Sequence, residues 1–333
     1  MLQLERFINQ MVSAVLFTAL TLLIPTSCDI YESLPPCPRG VKVQFVYDYN
    51  MEFADAFRSQ VDCLTLLVYD NNERLVTIVN EEGEPLKKMG YNIPIDLEHG
   101  KYHLVAFGGL TCEKRSFEPL SHLEVGSSLS ELKVALKQTN ATSANLLHPF
   151  FHAAADVIVD GEMYKDVTLH FVKNTNNIRI LLQQTNGTFV DANDFDFCIQ
   201  DDNSLFDADN QLIPNGGITY LPWSKGNATA DKTKENTDIH AAYAEFSTSR
   251  LSADINNRLQ VKLKKDGSTI IDLPLNDILL MLKSDQYGQM KAQEFLDREN
   301  NWSLVFFLSD NGLWITTHII INGWTVRLND TEL

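Results

Sequence analysis

From residue 40 onward the chain alternates between strand-length apolar stretches and short clusters of turn-forming residues, and this punctuation restricts it to a mainly β architecture. Val41-Lys-Val-Gln-Phe-Val-Tyr47 places Val41, Val43, Phe45 and Tyr47 on one face at a period of two. Cys63–Tyr69 (CLTLLVY) is an uninterrupted apolar run of strand length, Asp70-Asn71-Asn72 turns the chain, and Leu75–Val79 returns. Asn92–Leu97, the turn Glu98-His99-Gly100, Tyr102–Phe107 and the alternating Leu132, Val134 and Leu136 complete a first series. The pattern restarts near Tyr164 with Val167–Val172, Ile178–Leu182, Phe195–Ile199, Ala242–Phe246 and Leu259–Leu263. Asp266-Gly267, just before Ile270–Leu273, is a hairpin signal. Two helices are predicted, Asn276–Lys283 and Gln289–Arg298. A β-meander then closes the chain with Leu304–Leu308, Trp314–Ile321 and Trp324–Leu328, turning at Asp310-Asn311-Gly312 and Asn322-Gly323. Short strands without regularly interleaved helices point to β-sandwiches and away from βαβ folds. Residues 200–240 are polar, contain Gly216, Gly217 and Gly226, and read as loops.

A length of 333 residues exceeds what one core comfortably serves. The predicted organisation is an N-terminal β-sandwich over 41–158 and a C-terminal one over 159–333, broken near 155–163, with the short helices towards the end of the second. The first forty residues differ in character. Val12–Ile24 is an uncharged run of thirteen residues, too short to span a bilayer comfortably and of signal-peptide length. It leads into Pro25-Thr26-Ser27-Cys28, which looks like a bacterial lipobox. Residues 1–27 are thus expected to be a lipoprotein signal peptide, with Cys28 taking a thioether-linked diacylglycerol and acylation of its new amine. Each buried CH₂ contributes about 0.8 kcal/mol, so two or three chains hold a protein in a membrane. Residues 28–40, with Pro35, Pro36 and Pro38, form an extended tether. No later apolar stretch reaches spanning length, since Ile315–Ile321 is interrupted by Thr316, Thr317 and His318.

The formal net charge of −17 argues against nucleic-acid binding, which needs Lys and Arg against phosphate. No GxSxG, HExxH, P-loop or GxGxxG pattern is present, so no catalytic residue and no cofactor are assigned. His148 and His152 have the i, i+4 spacing of helical metal ligands, but Pro149 lies between them and packing or turn roles fit better. Asp191, Asp194, Asp196, Asp201, Asp202, Asp207 and Asp209 lack the spacing of a calcium loop and read as loop charge. Cys37, Cys63, Cys112 and Cys198 leave three connectivities open, with one bridge in the first half and a free buried thiol as competing readings. Trp314 and Trp324 sit inside strand patterns and are expected in the core. Of the four candidates for stacking on a sugar, Trp223, Trp302, Trp314 and Trp324, Trp223 follows Pro222 in a predicted loop and is the one to test.

Several segments carry a resemblance. Leu34-Pro-Pro-Cys-Pro-Arg-Gly-Val41, Phe45–Phe53 (FVYDYNMEF), Gln60–Asp70 (QVDCLTLLVYD), Ile95-Asp-Leu97 with Gly100–Gly108, and Ile321–Arg327 (INGWTVR) together resemble, in order, the FimB-type fimbrial anchor or minor fimbrial subunit family of Bacteroidales. The resemblance implies two transthyretin-like Greek-key β-sandwiches in series, carried by an outer-membrane lipoprotein whose lipid-bearing cysteine corresponds to Cys28. It further implies a non-enzymatic subunit that roots a fimbria in the cell surface. Such a subunit assembles by strand-exchange-type contacts with the major stalk subunit and accessory proteins. A surface glycan-binding lipoprotein is the alternative.

Overall fold

In the computed structural model the described residues are 39–232, 238–283, 287–309, 312–315 and 318–327. The predicted signal peptide, Cys28, Cys37 and most of the tether lie outside them. The first strands are β1 (Gly40–Val46), β2 (Cys63–Tyr69), β3 (Leu75–Glu82), β4 (Asn92–Asp96), β5 (Gly100–Gly108), β6 (Phe117–Pro119), β7 (Val134–Leu136) and β8 (Thr142–Ser143). Next come β9 (Phe151–Val159), β10 (Tyr164–His170), β11 (Val172–Lys173), β12 (Thr175–Gln184), β13 (Phe195–Asp201), β14 (Leu205–Phe206) and β15 (Ile218–Tyr220). The last are β16 (Ser224–Lys232), β17 (Asp238–Ser249), β18 (Arg258–Leu263), β19 (Thr269–Pro274), β20 (Asn301–Leu308), β21 (His318–Ile321) and β22 (Trp324–Arg327). The helices are α1 (Phe57–Gln60), α2 (Leu275–Leu280) and α3 (Ala292–Arg298).

The period-two pattern of β1 buries Val41, Val43 and Phe45, and the strand lies between β10, to which it runs parallel, and antiparallel β4. The facing sheet has the order β11-β9-β5-β2-β3 and is antiparallel throughout. Val41, Val43, Phe45, Ile93 and Ile95 from the first sheet pack with Leu64, Leu66, Val68, Leu104 and Ala106 from the second. All seven residues of β2 are buried because both of its faces are covered: Leu67 and Tyr69, with Val105 and Phe107 of β5, belong to the other core. That double burial is the physical reason the segment reads as an unbroken apolar run.

The second core lies between the sheets β16-β17-β12-β20-β21-β22 and β19-β18-β13-β15-β8. β12 runs parallel to β20 and antiparallel to β17. Ile178, Ile180, Phe246, Leu304 and Phe306 meet Phe195, Phe197, Ile199, Leu259 and Val261. A small sheet, β14-β7-β6, draws strands from both halves of the chain. Beneath it Phe150 stacks on Phe107 and Phe117 at 5.7 and 4.4 Å between ring centroids, and Phe206 tilts against Phe150 at 5.9 Å. Aromatic pairs at such spacings add to the stabilisation from burial alone. Arg39 onward forms a single unit by its internal contacts.

Several elements depart from the sequence expectation. β10, at the expected restart, adds to the first pair of sheets through its parallel ladder with β1, and β11 pairs with β9. β9 runs through the region expected as a break, because its Ala153-Ala154-Ala155 core gives little strand signal; the chain turns only after Val159. The 200–240 segment is not all loop: it holds β14, β15 and the polar edge strand β16. The predicted helices form as α2 and α3, each shorter than expected.

Buried polar groups tie the halves together. Tyr47 Oη donates to Asn300 Oδ1 at 2.8 Å, and Asn174 and Asn210 exchange side-chain amide hydrogen bonds at 2.7 and 3.1 Å. His152, at 5 % exposure, faces the Ala208 carbonyl oxygen through Nε2 at 2.8 Å. Arg250 meets Asp297 in a two-pronged ion pair, and the Arg298 guanidinium lies 4.0 Å from the ring centre of Tyr49 and 4.6 Å from that of Phe53. The buried polar groups among these each have a partner, as the desolvation penalty demands.

Candidate functional site

The alternation that buries Ile178 and Ile180 turns Asn177 and Arg179 to the outer face of the sheet. The ladders place Arg179 opposite both Glu245 of β17 and Ser303 of β20, and Asn177 opposite Asn301. Arg179 Nε donates to Glu245 Oε1 at 2.8 Å, and Nη2 donates to the same oxygen. Asn177 Nδ2 donates to Asn301 Oδ1 at 3.2 Å. The backbone N–H of Trp223 donates to the Glu245 carbonyl oxygen at 2.9 Å, seating the tryptophan at one wall. Trp223 is 39 % exposed and Leu146 is 55 % exposed. These residues line an open cavity of about 350 Å³ over the middle of the sheet. Its walls are apolar at Trp223 and Leu146, and its floor mixes the hydrogen-bonding groups with Ile178, Phe246 and Trp302. Such a mixture suits a small ligand oriented by a few convergent polar groups.

Of the other tryptophans, Trp302 also lines this cavity, whereas Trp314 and Trp324 lie elsewhere. Trp302 is buried, with Nε1 donating to Asn176 Oδ1 at 3.3 Å, and Trp314 is half-buried with its ring against Phe306 at 5.6 Å. Trp324 is 73 % exposed, contrary to the expected core position, because β22 is the outermost strand of its sheet. It borders a cavity of about 450 Å³ together with Met51, Met281, Tyr287 and Phe295. A further cavity of about 430 Å³ is lined by Asp70, Glu73, Tyr102, His103 and Asp156. There His103 Nδ1 lies 2.7 Å from Asp156 Oδ1, while His103 Nε2 and the Tyr69 hydroxyl are buried without hydrogen-bond partners among the described residues. Burial, aided by Glu131, pushes the Tyr69 hydroxyl up to about 12.

The histidine and aspartate candidates have local roles. His148 precedes β9 and His152 is inside it, so the pair does not share a helical face. Burial pushes both below the ordinary histidine range, His152 to about 4. Asp191 accepts from the Asn193 backbone N–H and Asp207 from those of Asp209 and Gln211, organising their own turns, while Asp202 accepts from that of Asn215 and ties down a later loop. Asp201 is buried and accepts from Asn203 and Asn257, and burial raises it to about 6. Among the described residues no group of three or more His, Cys, Asp and Glu is arranged to hold a metal ion. Cys63 and Cys112 form a disulfide, and Cys198 is a half-buried thiol raised by that burial. No described helix is long and apolar enough to cross a membrane.

Sequence reasoning reached Trp223 but not the floor beneath it. Asn177, Arg179, Glu245, Asn301 and Ser303 are outward-facing strand residues whose only signal is their polarity between apolar neighbours.

Comparison with known proteins gives a consistent result. A model of the fimbrillin-A-associated anchor proteins Mfa1 and Mfa2 matches residues 34–330. A crystal structure of a candidate adhesin from Bacteroides thetaiotaomicron is 48 % identical, covers 89 % of this chain and 100 % of its own, and superposes with a TM-score of 0.84. Another protein from the same organism, described as a candidate polysaccharide-binding protein, is 29 % identical over 87 % of this chain and 98 % of its own, with a TM-score of 0.75. The minor fimbrium anchoring subunit Mfa2 of Porphyromonas gingivalis is 21 % identical across 92 % of each chain. Its crystal structure covers 88 % of this chain and 100 % of its own with a TM-score of 0.67.

Proposed function

This chain belongs to the family of fimbrillin-A-associated anchor proteins Mfa1 and Mfa2, and we propose that it is the lipid-anchored subunit that roots a fimbria in the outer membrane. In this reading signal cleavage exposes Cys28, acyl chains on Cys28 hold the protein in the membrane, residues 29–40 span the headgroup region, and the β-body stands at the surface. Stalk and accessory fimbrial subunits dock on it by contacts alone, without a reaction. The single observation that carries the proposal is the match over 34–330, which runs from the tether through nearly the whole β-body.

Strand exchange is the proposed mode of docking. Among the described residues the sheets end in edge strands, including β3, β4, β16 and β22, which offer backbone donors and acceptors to an added strand. Deleting the gene should release fimbriae into the medium or alter their length, and Cys28→Ala should yield protein without acyl chains by mass spectrometry and with lost surface retention. Normal, attached fimbriae on the deletion strain would refute the anchoring role.

A second reading, in which the same body also binds a surface polysaccharide, draws on the description of the 29 % identical B. thetaiotaomicron protein. The observation that favours it is the exposed Trp223 beside a cavity that carries both apolar and hydrogen-bonding side chains.

A further inference from the structure

We propose that the cavity over β17, β12 and β20 is a subsite for a neutral hexopyranose unit of a polysaccharide, with the Trp223 indole stacking on the C–H face of the sugar. This rests on the second reading above and names both its site and its ligand class.

The place of the cavity in the sheet excludes the other mode of recognition this fold offers. β12 is hydrogen-bonded to β17 on one side and β20 on the other, and these are themselves flanked by β16 and β21. Among the described residues no strand edge opens into the cavity floor, so an incoming peptide strand finds no backbone ladder to extend there. The occupant must be read by side chains.

Those side chains suit a sugar. A pyranose has a C–H face that packs on an indole and a rim of hydroxyls that both donate and accept. Sharing the cavity lining with Trp223 are Arg179, which donates; Glu245, which accepts; and Asn177, Asn301 and Ser303, which do both. The Arg179–Glu245 pair holds the guanidinium against Glu245 Oε1 through two donors, so less side-chain freedom is lost on binding. A volume of about 350 Å³ holds a monosaccharide-sized group with room for the chain to continue at the open side.

The charge balance selects the class. Glu245 neutralises Arg179, and the chain as a whole carries −17. A sialylated, sulfated or uronate sugar would compete with Glu245 for the guanidinium and meet a repulsive field. A neutral hexose faces neither cost.

The test uses the full-length chain purified in detergent. It is applied to an array of neutral and anionic oligosaccharides, and neutral hits are titrated by intrinsic fluorescence and by saturation-transfer NMR with methyl hexopyranosides. The expected result is binding of a neutral hexose-containing glycan that weakens about tenfold or more in Trp223→Ala, as for loss of a central aromatic contact. Trp223→Phe should retain part of the affinity, Arg179→Gln should weaken it, and Trp324→Ala, which removes an exposed indole elsewhere, should leave it unchanged. Thermal midpoints of the variants check that each is folded. A neutral glycan bound equally well by Trp223→Ala and Arg179→Gln would leave glycan binding standing and overturn this site. Preference for anionic glycans would overturn the ligand class. Binding to no glycan would overturn both this inference and the second reading, while the anchoring role would still be judged by fimbrial release.

Discussion

Asp297→Ala is the substitution expected to loosen the body most for the loss of a single carboxylate. The Asp297 side chain is 5 % exposed and that of Arg250 15 %. Arg250 Nε and Nη2 donate to the two carboxylate oxygens at 2.7 and 2.8 Å, and Gln293 Nε2 adds a third donor at 2.8 Å. Once the carboxylate is gone, the guanidinium keeps the Asn210 carbonyl oxygen at 2.7 Å but has no counter-charge. Removing one member of a buried pair typically costs about 3–5 kcal/mol, because the remaining charge stays desolvated. For a body of this size about 1 kcal/mol shifts the midpoint by about 2–4 °C, so a fall of about 6–20 °C is expected in calorimetry. Urea titration should show a matching fall in midpoint at constant m-value. The double variant Arg250→Met/Asp297→Leu, in which neither charge remains, should recover most of that loss. If Asp297→Ala costs less than about 1 kcal/mol, the pair behaves as a solvated surface bridge and the argument from burial fails.

The remaining predictions concern protons, the disulfide and two glycines. His152 titrates near 4 in the folded protein against an ordinary 6.5, so the unfolded chain takes up its proton first and stability is lost as pH falls through that window. Asp201 titrates near 6 against an ordinary 3.8, so the folded chain holds its proton longer and stability is lost as pH rises from about 4 to 6. At 1.36 kcal/mol per pH unit each effect is about 3 kcal/mol, and the two oppose each other. Asp201→Asn should therefore lose about 2 kcal/mol more than the parent between pH 6.5 and 4 in urea titrations; parallel profiles would contradict this. Cys63 and Cys112 close a loop with a sequence separation of 49, and Cys63→Ala/Cys112→Ala should cost about 2–4 kcal/mol. An unchanged thermal midpoint would argue against that contribution. Gly109 has φ +86°, and a Cβ there would stand 2.0 Å from the Pro149 carbonyl oxygen, whereas Gly126, at φ +99°, faces open space. Gly109→Ala should cost more than about 2 kcal/mol and Gly126→Ala about 1 kcal/mol, in chemical denaturation; equal costs would refute the steric argument.

Much of the fold was legible because the signals were local. The alternation of β1 and the apolar run of β2 identify strands in any context, and Asn322-Gly323 adopts positive φ at both residues, as a tight hairpin turn requires. Legibility failed where the local signal was weak. The alanines of β9 and the polar run of β16 conceal strands whose partners, not their composition, make them strands. Trp223 was found as an aromatic residue beside a proline, but the groove under it joins residues near 177, 245 and 301, which no spacing rule connects.

The linear order of residues was thus enough to determine the class of structure, the faces of most strands and the dipeptides that turn them, since each depends on neighbours a few positions away. Tertiary structure alone decided that β10 returns to β1, that Cys63 meets Cys112 while Cys198 keeps its thiol, and that Arg179 stands between Glu245 and Ser303. The physical reason is that backbone ladders are chemically alike from strand to strand. The choice among partners is made by which arrangement buries the most apolar surface while leaving few buried polar groups without a partner.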